Sequence, residues 1–217
     1  MPPKRAKGTL RRFADVSTTA LLAAASVLGV VVAAALVIAL HLLPTGLDPA
    51  RNAVSQYGRT RFSALYRAQV IASGSSGLLL LVALLSADVR RPLPLAALAA
   101  YALARLAIAG NMMDLPDGAP TRAGRNHVLL ALVAFFGIAI AAVPIAGTLD
   151  TVASNGLSGD LAAVAIAVPV AATVMFGARG SLRAYFGTFE RLFYLAAFAW
   201  LFLAGLSLGM YGAVPGA

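Results

Sequence analysis

The chain has 217 residues, of which 60% are hydrophobic, 12% are charged and none is cysteine. An aqueous globule of this size cannot bury so much apolar surface, and the absence of cysteine excludes disulfides, thiolate catalysis and cysteine-ligated metals. Since a bilayer core of about 30 Å needs roughly 20 apolar residues per helix, the length leaves no room for a separate soluble domain. The composition predicts an all-α integral membrane bundle.

A basic tail opens the chain over residues 1–18. The net charge is +9, and part of it lies in this tail, in Lys4, Arg5, Lys7, Arg11 and Arg12. Such clusters beside a span normally meet anionic lipid headgroups, so membrane lipids are predicted partners and nucleic acid is not. The apolar run that follows is too long for a secretion signal and is predicted to remain as a first helix.

Six apolar runs follow, and each predicts one transmembrane helix. They cover about 19–43, 62–85, 93–112, 127–146, 160–178 and 191–211. Strand-type alternation is absent, Ala and Leu dominate, and proline and glycine fall between the runs, so helices are favoured over a barrel. Residues 19–217 are therefore predicted to form one domain, a bundle of six transmembrane helices with both termini on the same side.

Two pairs of glycines inside the runs indicate where helices approach closely. Gly74 and Gly77 lie in the second run, and Gly205 and Gly209 lie in the last. Small residues at helical spacing let the backbones of membrane helices come together. We interpret both pairs as packing residues.

Successive helices alternate in direction, so the first, third and fifth connections must share one face of the bilayer. The distinctive polar residues lie in or beside these connections: His41, Asp48, Ser55, Tyr57, Asp114, Asp117, Arg125, His127 and Glu190. The cations are nearly balanced between the two faces, so the positive-inside rule alone does not orient the chain. The dense basic tail favours a cytoplasmic N-terminus in a prokaryotic plasma membrane, with the polar face extracytoplasmic.

The first connection carries a candidate cap and a candidate nucleophile. Asp48 precedes Pro49, which is a good helix start because aspartate caps free amides and proline suits the first helical position. Ser55 falls on the same face as Arg51 of the short helix that this start predicts. Ser55 is either a nucleophile or substrate contact, or a helix-packing or capping residue.

The third connection carries the other two candidate catalytic residues. Asp114 follows the third span and His127 opens the fourth, so the Pro/Gly-rich loop between them would bring the carboxylate to the imidazole. An aspartate that orients a histidine is half of a hydrolytic triad, and Ser55 or an activated water would then attack. Alternatively, His127 simply lies at the interface, and Asp114 pairs with one of three arginines: Arg122, Arg125 or Arg105.

A zinc site is the weaker alternative for these residues. Catalytic zinc usually takes three protein ligands, and the only histidines are His41 and His127. Asp114 would complete a two-histidine, one-carboxylate set, but the chain has no His-Glu-x-x-His motif. No cofactor is therefore predicted.

Arg105 is the only ionisable residue well inside a span, and it needs a partner or a wet cavity. It is expected either to snorkel toward Asp114 or to contact a substrate. The helix interiors otherwise carry only small hydroxyls, in Ser26, Ser75, Ser76 and Thr173. Nearly bare interiors disfavour a transporter of charged solutes.

Four further residues on the polar face are candidate substrate contacts: Asp48, Tyr57, Arg125 and Glu190. Glu190 has a simpler interpretation, because it is expected in the first turn of the last helix, where negative charge is favoured.

Three short segments carry a family resemblance: Asp48-Pro49 to Ser55-Gln-Tyr57-Gly58, Met113-Asp114 with Gly124-Arg-Asn-His127, and Gly187-Thr-Phe-Glu190-Arg191. Taken in order, they resemble the prokaryotic six-helix membrane family called domain of unknown function 998. The resemblance spans almost the whole chain. It implies a six-helix fold in the membrane and does not imply an activity.

A more distant likeness is to the transmembrane hydrolase superfamily of alkaline ceramidases and adiponectin receptors. Those proteins are similar in placing Ser, Asp and His at helix ends on one side of the membrane. This chain departs from them in having six predicted spans instead of seven and in lacking the paired histidines of their last helix.

Three functions follow as hypotheses. The first is a polytopic membrane protein that binds or hydrolyses a lipid-like substrate at Ser55, Asp114 and His127. The alternative is a non-catalytic accessory or scaffold subunit that packs against a membrane-protein partner or a second copy of itself. The third is a transporter.

Overall fold

Helices account for the regular structure in the part of the chain that the structure describes. The computed structural model covers the backbone of residues 4–115, 118–153 and 185–211, with side chains described from 18 to 115, 118 to 149 and 185 to 210. The helices are α1 (Lys4–Leu42), α2 (Ser63–Ser86), α3 (Pro92–Ile108), α4 (Arg122–Ala153) and α5 (Phe186–Tyr211). A short 3-10 helix, Val54–Arg59, lies between α1 and α2.

Four of these helices have apolar segments long enough to cross a membrane. The segments are Thr18–Leu42, Ser63–Ser86, Arg122–Leu149 and Phe186–Met210, whereas Pro92–Ile108 is shorter. Large apolar side chains such as Leu21, Leu28 and Leu195 are exposed along them, as expected for a surface that faces lipid. The chain is therefore a multi-pass membrane protein with an all-α fold.

Four of the six predicted spans agree with these helices, and the third differs. The third predicted span, 93–112, is too long at its end, because α3 stops at Ile108 and a turn follows in which Asn111 N donates to Ile108 O. The fifth predicted span, 160–178, lies outside the described residues. At the other end of the chain, α1 already begins at Lys4, so the basic tail continues the first helix.

Contacts between α1, α2 and α3 show that neighbouring helices run in opposite directions. Ser26 of α1 pairs with Ser76 of α2, and Gly29, further along α1, lies against Ala72, which comes earlier in α2. In the same way, Gly74 of α2 faces Leu106 of α3, whereas Gly77 faces Tyr101. The two helix pairs are therefore antiparallel.

The pairs α3/α4 and α1/α5 are also antiparallel. His127 of α4 contacts Asn111 just after α3, and Gly137 faces Ala97 near the start of α3. Similarly, His41 of α1 contacts Arg191 of α5, whereas Ala23 lies near Gly209. The end of α1, the start of α2, the end of α3 and the starts of α4 and α5 thus gather at one end of the bundle, which we call the site face.

Hydrogen bonds between connections confirm that the predicted polar face is a single surface. Arg59 Nε, in the first connection, donates to Met113 O in the third at 2.6 Å. Thr188 N, at the start of α5, donates to Ala50 O in the first connection at 3.0 Å. The first connection therefore lies across the bundle end and touches both of its neighbours.

Candidate functional site

The first connection begins with a turn that Asp48 closes. Asp48 Oδ1 accepts a hydrogen bond from Ala50 N at 2.9 Å, and Asn52 Oδ1 accepts one from Asp48 N at 2.7 Å. The predicted cap is therefore present, but it caps a turn, because the following 3-10 helix begins only at Val54. Asp48 also lies 3.5 Å from Arg51 Nε, and both side chains are exposed.

Glu190 of α5 binds the backbone of this connection. Its side chain is only 4% exposed, and Oε2 accepts a hydrogen bond from Val54 N at 2.7 Å. The prediction that Glu190 is a helix-dipole residue is wrong, because α5 begins at Phe186 and has no acidic residue in its first turn. A buried carboxylate is costly without a partner, and the free amide at the start of the 3-10 helix supplies one.

Arg191 fastens α5 to the same connection and to α1. Its Nε donates to His41 Nε2, Nη1 donates to Asn52 O at 2.7 Å, and Nη2 donates to Tyr57 OH at 3.2 Å. Since a guanidinium only donates, His41 Nε2 must accept, which leaves the proton of His41 on Nδ1 to donate to Val37 O. Tyr57 is fully buried and its ring meets the His41 ring edge-on, with centroids 5.6 Å apart.

The three predicted catalytic residues lie at the site face, but each is bound to a different partner. Ser55 Oγ donates to Met113 Sδ at 2.9 Å, and His127 Nδ1 contacts Asn111 O at 2.7 Å. Asp114 accepts two hydrogen bonds, both from Thr121. Within the described ranges these residues form no hydrogen-bonded relay with one another.

Asp114 holds the third connection against the start of α4. Its Oδ1 accepts from Thr121 Oγ1 at 2.6 Å and its Oδ2 accepts from Thr121 N at 2.8 Å. These bonds, the side-chain one above all, hold the pKa of Asp114 below its ordinary value. Its ion-pair partner is Arg59, at 3.8 Å, and not one of the three predicted arginines; Arg125 is exposed nearby.

The two histidines lie in separate surroundings. His41 is held by Arg191, and His127 is held by the carbonyl of Asn111. No three His, Asp or Glu side chains of the described segments are grouped so that they could hold a metal ion. The arrangement of His41, Asp114 and His127 as zinc ligands therefore gains no support from their placement.

A groove of about 490 Å³ opens at the site face between the first and third connections. Its lining residues combine cations, amides and hydroxyls with a few apolar side chains: Pro44, Thr45, Leu47, Asn52, Gln56, Arg59, Thr60, Arg61 and Leu115. The guanidinium of Arg61 lies over the ring of Phe62, 4.7 Å from its centroid. Arg61 belongs to none of the ion pairs found among the described residues.

A second polar group, the inner cluster, lies deeper in the bundle around Arg105. Arg105 is 4% exposed and donates to Ser73 Oγ at 2.9 Å, to Tyr194 OH at 2.8 Å and to Gln69 Oε1 at 3.0 Å. The expectation that Arg105 snorkels toward Asp114 is wrong, because its side chain turns inward between α2, α3 and α5. Tyr101 lies beside Ser73 in this cluster.

The members of the inner cluster, apart from Arg105, escaped the sequence analysis. Gln69 and Ser73 are four residues apart on α2, as are Tyr101 and Arg105 on α3, so each pair shares a helix face. Polar residues at this spacing, near an arginine inside a span, were the feature of the sequence that could have predicted the cluster. The expectation of nearly bare helix interiors is therefore wrong at this depth.

Comparison with known proteins identifies a family. No curated protein and no solved structure matches the chain, so the distant likeness to alkaline ceramidases and adiponectin receptors has no support. The model of the family described as "Protein of unknown function (DUF998)" matches residues 27–207. This match covers most of the chain, including the site face and the inner cluster, and the chain therefore belongs to the DUF998 family.

Proposed function

We propose that this protein binds the anionic headgroup of a membrane lipid in the groove at the site face. The observation that carries the proposal is the composition of the groove, which places Arg61, without a carboxylate partner in the described segments, beside amide and hydroxyl groups. Guanidinium groups bind phosphate through charge-assisted hydrogen bonds, which are stronger than neutral ones. The amides of Asn52 and Gln56 would bind the uncharged parts of a headgroup.

The position and the apolar side of the groove support a lipid as the occupant. The groove lies at the ends of the membrane-length helices, which is the level where headgroups lie. Pro44, Leu47 and Leu115 line it together with the cations, and Leu115 is 53% exposed. An apolar rim beside cationic side chains suits a molecule that has both an acyl part and an anionic head.

The hydrogen bonds of the predicted catalytic residues support binding in preference to hydrolysis. A nucleophilic serine needs a base within hydrogen-bond reach, whereas Ser55 donates to the Met113 sulfur. A histidine base needs an orienting carboxylate, whereas His127 contacts a backbone carbonyl and Asp114 is bound by Thr121. We therefore propose lipid binding as the function and keep hydrolysis as an outcome to be tested.

Six transmembrane helices with a cytoplasmic N-terminus are the topology that we propose. Since α4 and α5 both begin at the site face, the chain between them must return to that face, which supports one further crossing. The five cations of the tail lie beside the first membrane-length segment and favour the cytoplasm, which makes the site face extracytoplasmic.

Lipid titration of the purified protein tests the proposed function. We expect Arg61→Ala to weaken binding of phosphatidylglycerol by about tenfold, which corresponds to about 1.4 kcal/mol. Arg67→Ala is the matched control, because Arg67 is an exposed cation on α2 outside the groove. Equal affinity of both variants, or equal affinity for phosphatidylglycerol and phosphatidylcholine, would contradict the proposal.

Mass spectrometry of the same lipid samples separates binding from hydrolysis. We expect the lipid to be recovered intact after incubation with the wild-type protein. Release of a fatty acid or headgroup that His127→Ala abolishes would instead support the hydrolase hypothesis.

A further inference from the structure

The inner cluster contains more hydrogen-bond donors than acceptors. Arg105 has five N–H groups and accepts nothing, and it donates to Ser73, Tyr194 and Gln69. One N–H on each terminal nitrogen of Arg105 thus has no acceptor among the described residues. The carbonyl oxygen of Gln69 is used by Arg105, and its amide nitrogen Nε2 is buried and has no hydrogen-bond partner among the described residues.

Within the described ranges, no negatively charged side chain contacts the guanidinium of Arg105. Glu190 is close enough to interact electrostatically with Arg105, but its carboxylate accepts from Val54 N, and the two side chains form no ion pair. The groups that contact Arg105, a hydroxyl, a phenol and an amide, are all neutral. A desolvated cation inside a membrane bundle is unfavourable unless acceptors and opposite charge compensate it.

The unpartnered amide and the guanidinium without a contacting anion would both be satisfied by one group, an acceptor with a negative charge. We propose that the inner cluster binds a small monovalent anion, of which chloride is the simplest, between Gln69 Nε2 and the remaining N–H groups of Arg105. Ser73 and Gln69 are fully buried and Arg105 is nearly so, which restricts the ligand to an ion of atomic size. The phenol of Tyr194 accepts from Arg105, so its own proton is available to the anion.

The inner cluster is distinct from the groove at the site face. None of its members lines the groove, and the groove cations Arg59 and Arg61 make no hydrogen bond to it within the described residues. Anion binding here and lipid binding there are therefore independent, and Arg61→Ala is expected to leave the anion effect unchanged.

Thermal unfolding of the full chain in detergent, compared in sodium chloride and sodium gluconate at equal ionic strength, tests the proposal. A ligand that binds only the folded state raises the unfolding temperature in proportion to the logarithm of its concentration above the dissociation constant. We expect chloride to raise the unfolding temperature with this logarithmic dependence on concentration and gluconate to have no such effect. An unpartnered amide that is satisfied by water alone would give identical curves, which would overturn the proposal.

A carboxylate placed in the cluster should replace the anion. In Gln69→Glu, the new side chain supplies both the acceptor and the negative charge to Arg105, so we expect a folded protein whose stability no longer depends on chloride. Ser76→Ala is the matched control, because Ser76 is a fully buried polar residue of α2 that pairs with Ser26, outside the cluster. Ser76→Ala should keep the chloride dependence of the wild type.

Line broadening of the ³⁵Cl NMR signal gives a second measurement that does not depend on stability. We expect the wild type and Ser76→Ala to broaden the signal and bromide to compete. We expect Gln69→Glu to lose most of the broadening. Chloride dependence that persists in Gln69→Glu would assign the effect to surface cations and contradict an inner site.

Discussion

Thr121 takes part in two structural features of the site face, the N-cap of α4 and the closure of the third connection. Its Oγ1 accepts a hydrogen bond from Gly124 N at 3.0 Å, which is the bond of a helix N-cap, and the same hydroxyl donates to Asp114 at 2.6 Å. A Cβ on Gly124 would lie 2.0 Å from Asp114 Oδ2, so only glycine leaves room for the carboxylate. Asp114 therefore closes the third connection onto the cap of α4.

The pH dependence of stability should reveal this role of Asp114. Because the hydrogen bonds from Thr121 lower the pKa of Asp114 in the folded state, its contribution to stability is present above the ordinary carboxyl value of 3.8. The contribution is lost as the pH falls through the lower folded pKa. In thermal unfolding in detergent, we expect Asp114→Asn to be less stable than wild type at neutral pH and to lose less stability on acidification.

Asp88→Asn is the matched control for this measurement. Asp88 is exposed, lies after α2 at the opposite end of the bundle, and pairs with Arg90. The control should keep the acid response of the wild type. An Asp114→Asn protein with the same acid response as the control would show that Thr121 does not hold the carboxylate in this way.

At the residue scale, the sequence predicted which side chains meet at the site face better than it predicted their partners. Asp114 and His127 come together at one end, as predicted, but Asp114 binds Thr121. Asp114 binds Thr121 because Thr121 is only seven residues away, nearer in sequence than His127. Thr121 also presents both an amide and a hydroxyl at a helix start. Residue types alone do not show whether a carboxylate binds such a helix cap or a nearby imidazole.

At the scale of the helices, small residues set how closely α2 and α3 approach. A Cβ on Gly74 would lie 2.9 Å from the carbonyl oxygen of Ala102 and 2.8 Å from Leu106 Cγ. A Cβ on Gly205 would lie 2.8 Å from Val27 Cγ2 of α1. The interpretation as packing residues is confirmed for Gly74, Gly77 and Gly205, whereas Gly209 has room for a Cβ.

Comparing Gly74→Ala with Gly209→Ala should distinguish the effect of close packing on stability from the effect of helix propensity. At Gly74 the nearest backbone atom cannot move independently, so we expect the substitution to lower the free energy of unfolding by about 1–3 kcal/mol. At Gly209 the nearest atom would be at 3.7 Å, an ordinary contact, so Gly209→Ala should be neutral or stabilising by up to about 1 kcal/mol through helix propensity. Unfolding in mixed micelles with increasing dodecyl sulfate measures both.

The two variants differ only in what the added methyl group meets. Equal stability of Gly74→Ala and Gly209→Ala would mean that α2 and α3 are not held at the distance seen here. Destabilisation by Gly209→Ala alone would contradict the arrangement of α1 against α5.

The sequence predicted that these helices exist more accurately than it predicted where they begin and end. Helix α4 begins at Arg122, five residues before the predicted start at His127, because Thr121 caps it and the polar residues after it continue the helix. Helix α3 ends four residues before the predicted end. Hydropathy reports where a chain enters lipid, whereas caps and turns decide where a helix stops.

At the scale of the whole molecule, the directions of the helices constrain the path of the chain. The antiparallel contacts place the starts of α4 and α5 together at the site face, as the link from Thr188 to Ala50 shows for α5. The ends of α4 and α5 and the start of the first membrane-length segment then lie at the opposite face. These directions carry the proposal of six crossings with both termini on one side.

Single cysteines placed in this cysteine-free chain test that topology with a membrane-impermeant maleimide on intact cells. We expect Thr45→Cys and Leu115→Cys, at the site face, to react without permeabilisation, and Ser86→Cys, at the opposite end of α2, to react only after it. For the further crossing proposed between α4 and α5, Ser154→Cys should react like Ser86→Cys and Ser181→Cys like Leu115→Cys. The pattern inverted as a whole would reverse the orientation and keep the fold, because every distance between helices is the same in both orientations. Different accessibility of Thr45→Cys and Leu115→Cys would instead contradict a shared site face, and with it the groove to which both residues contribute.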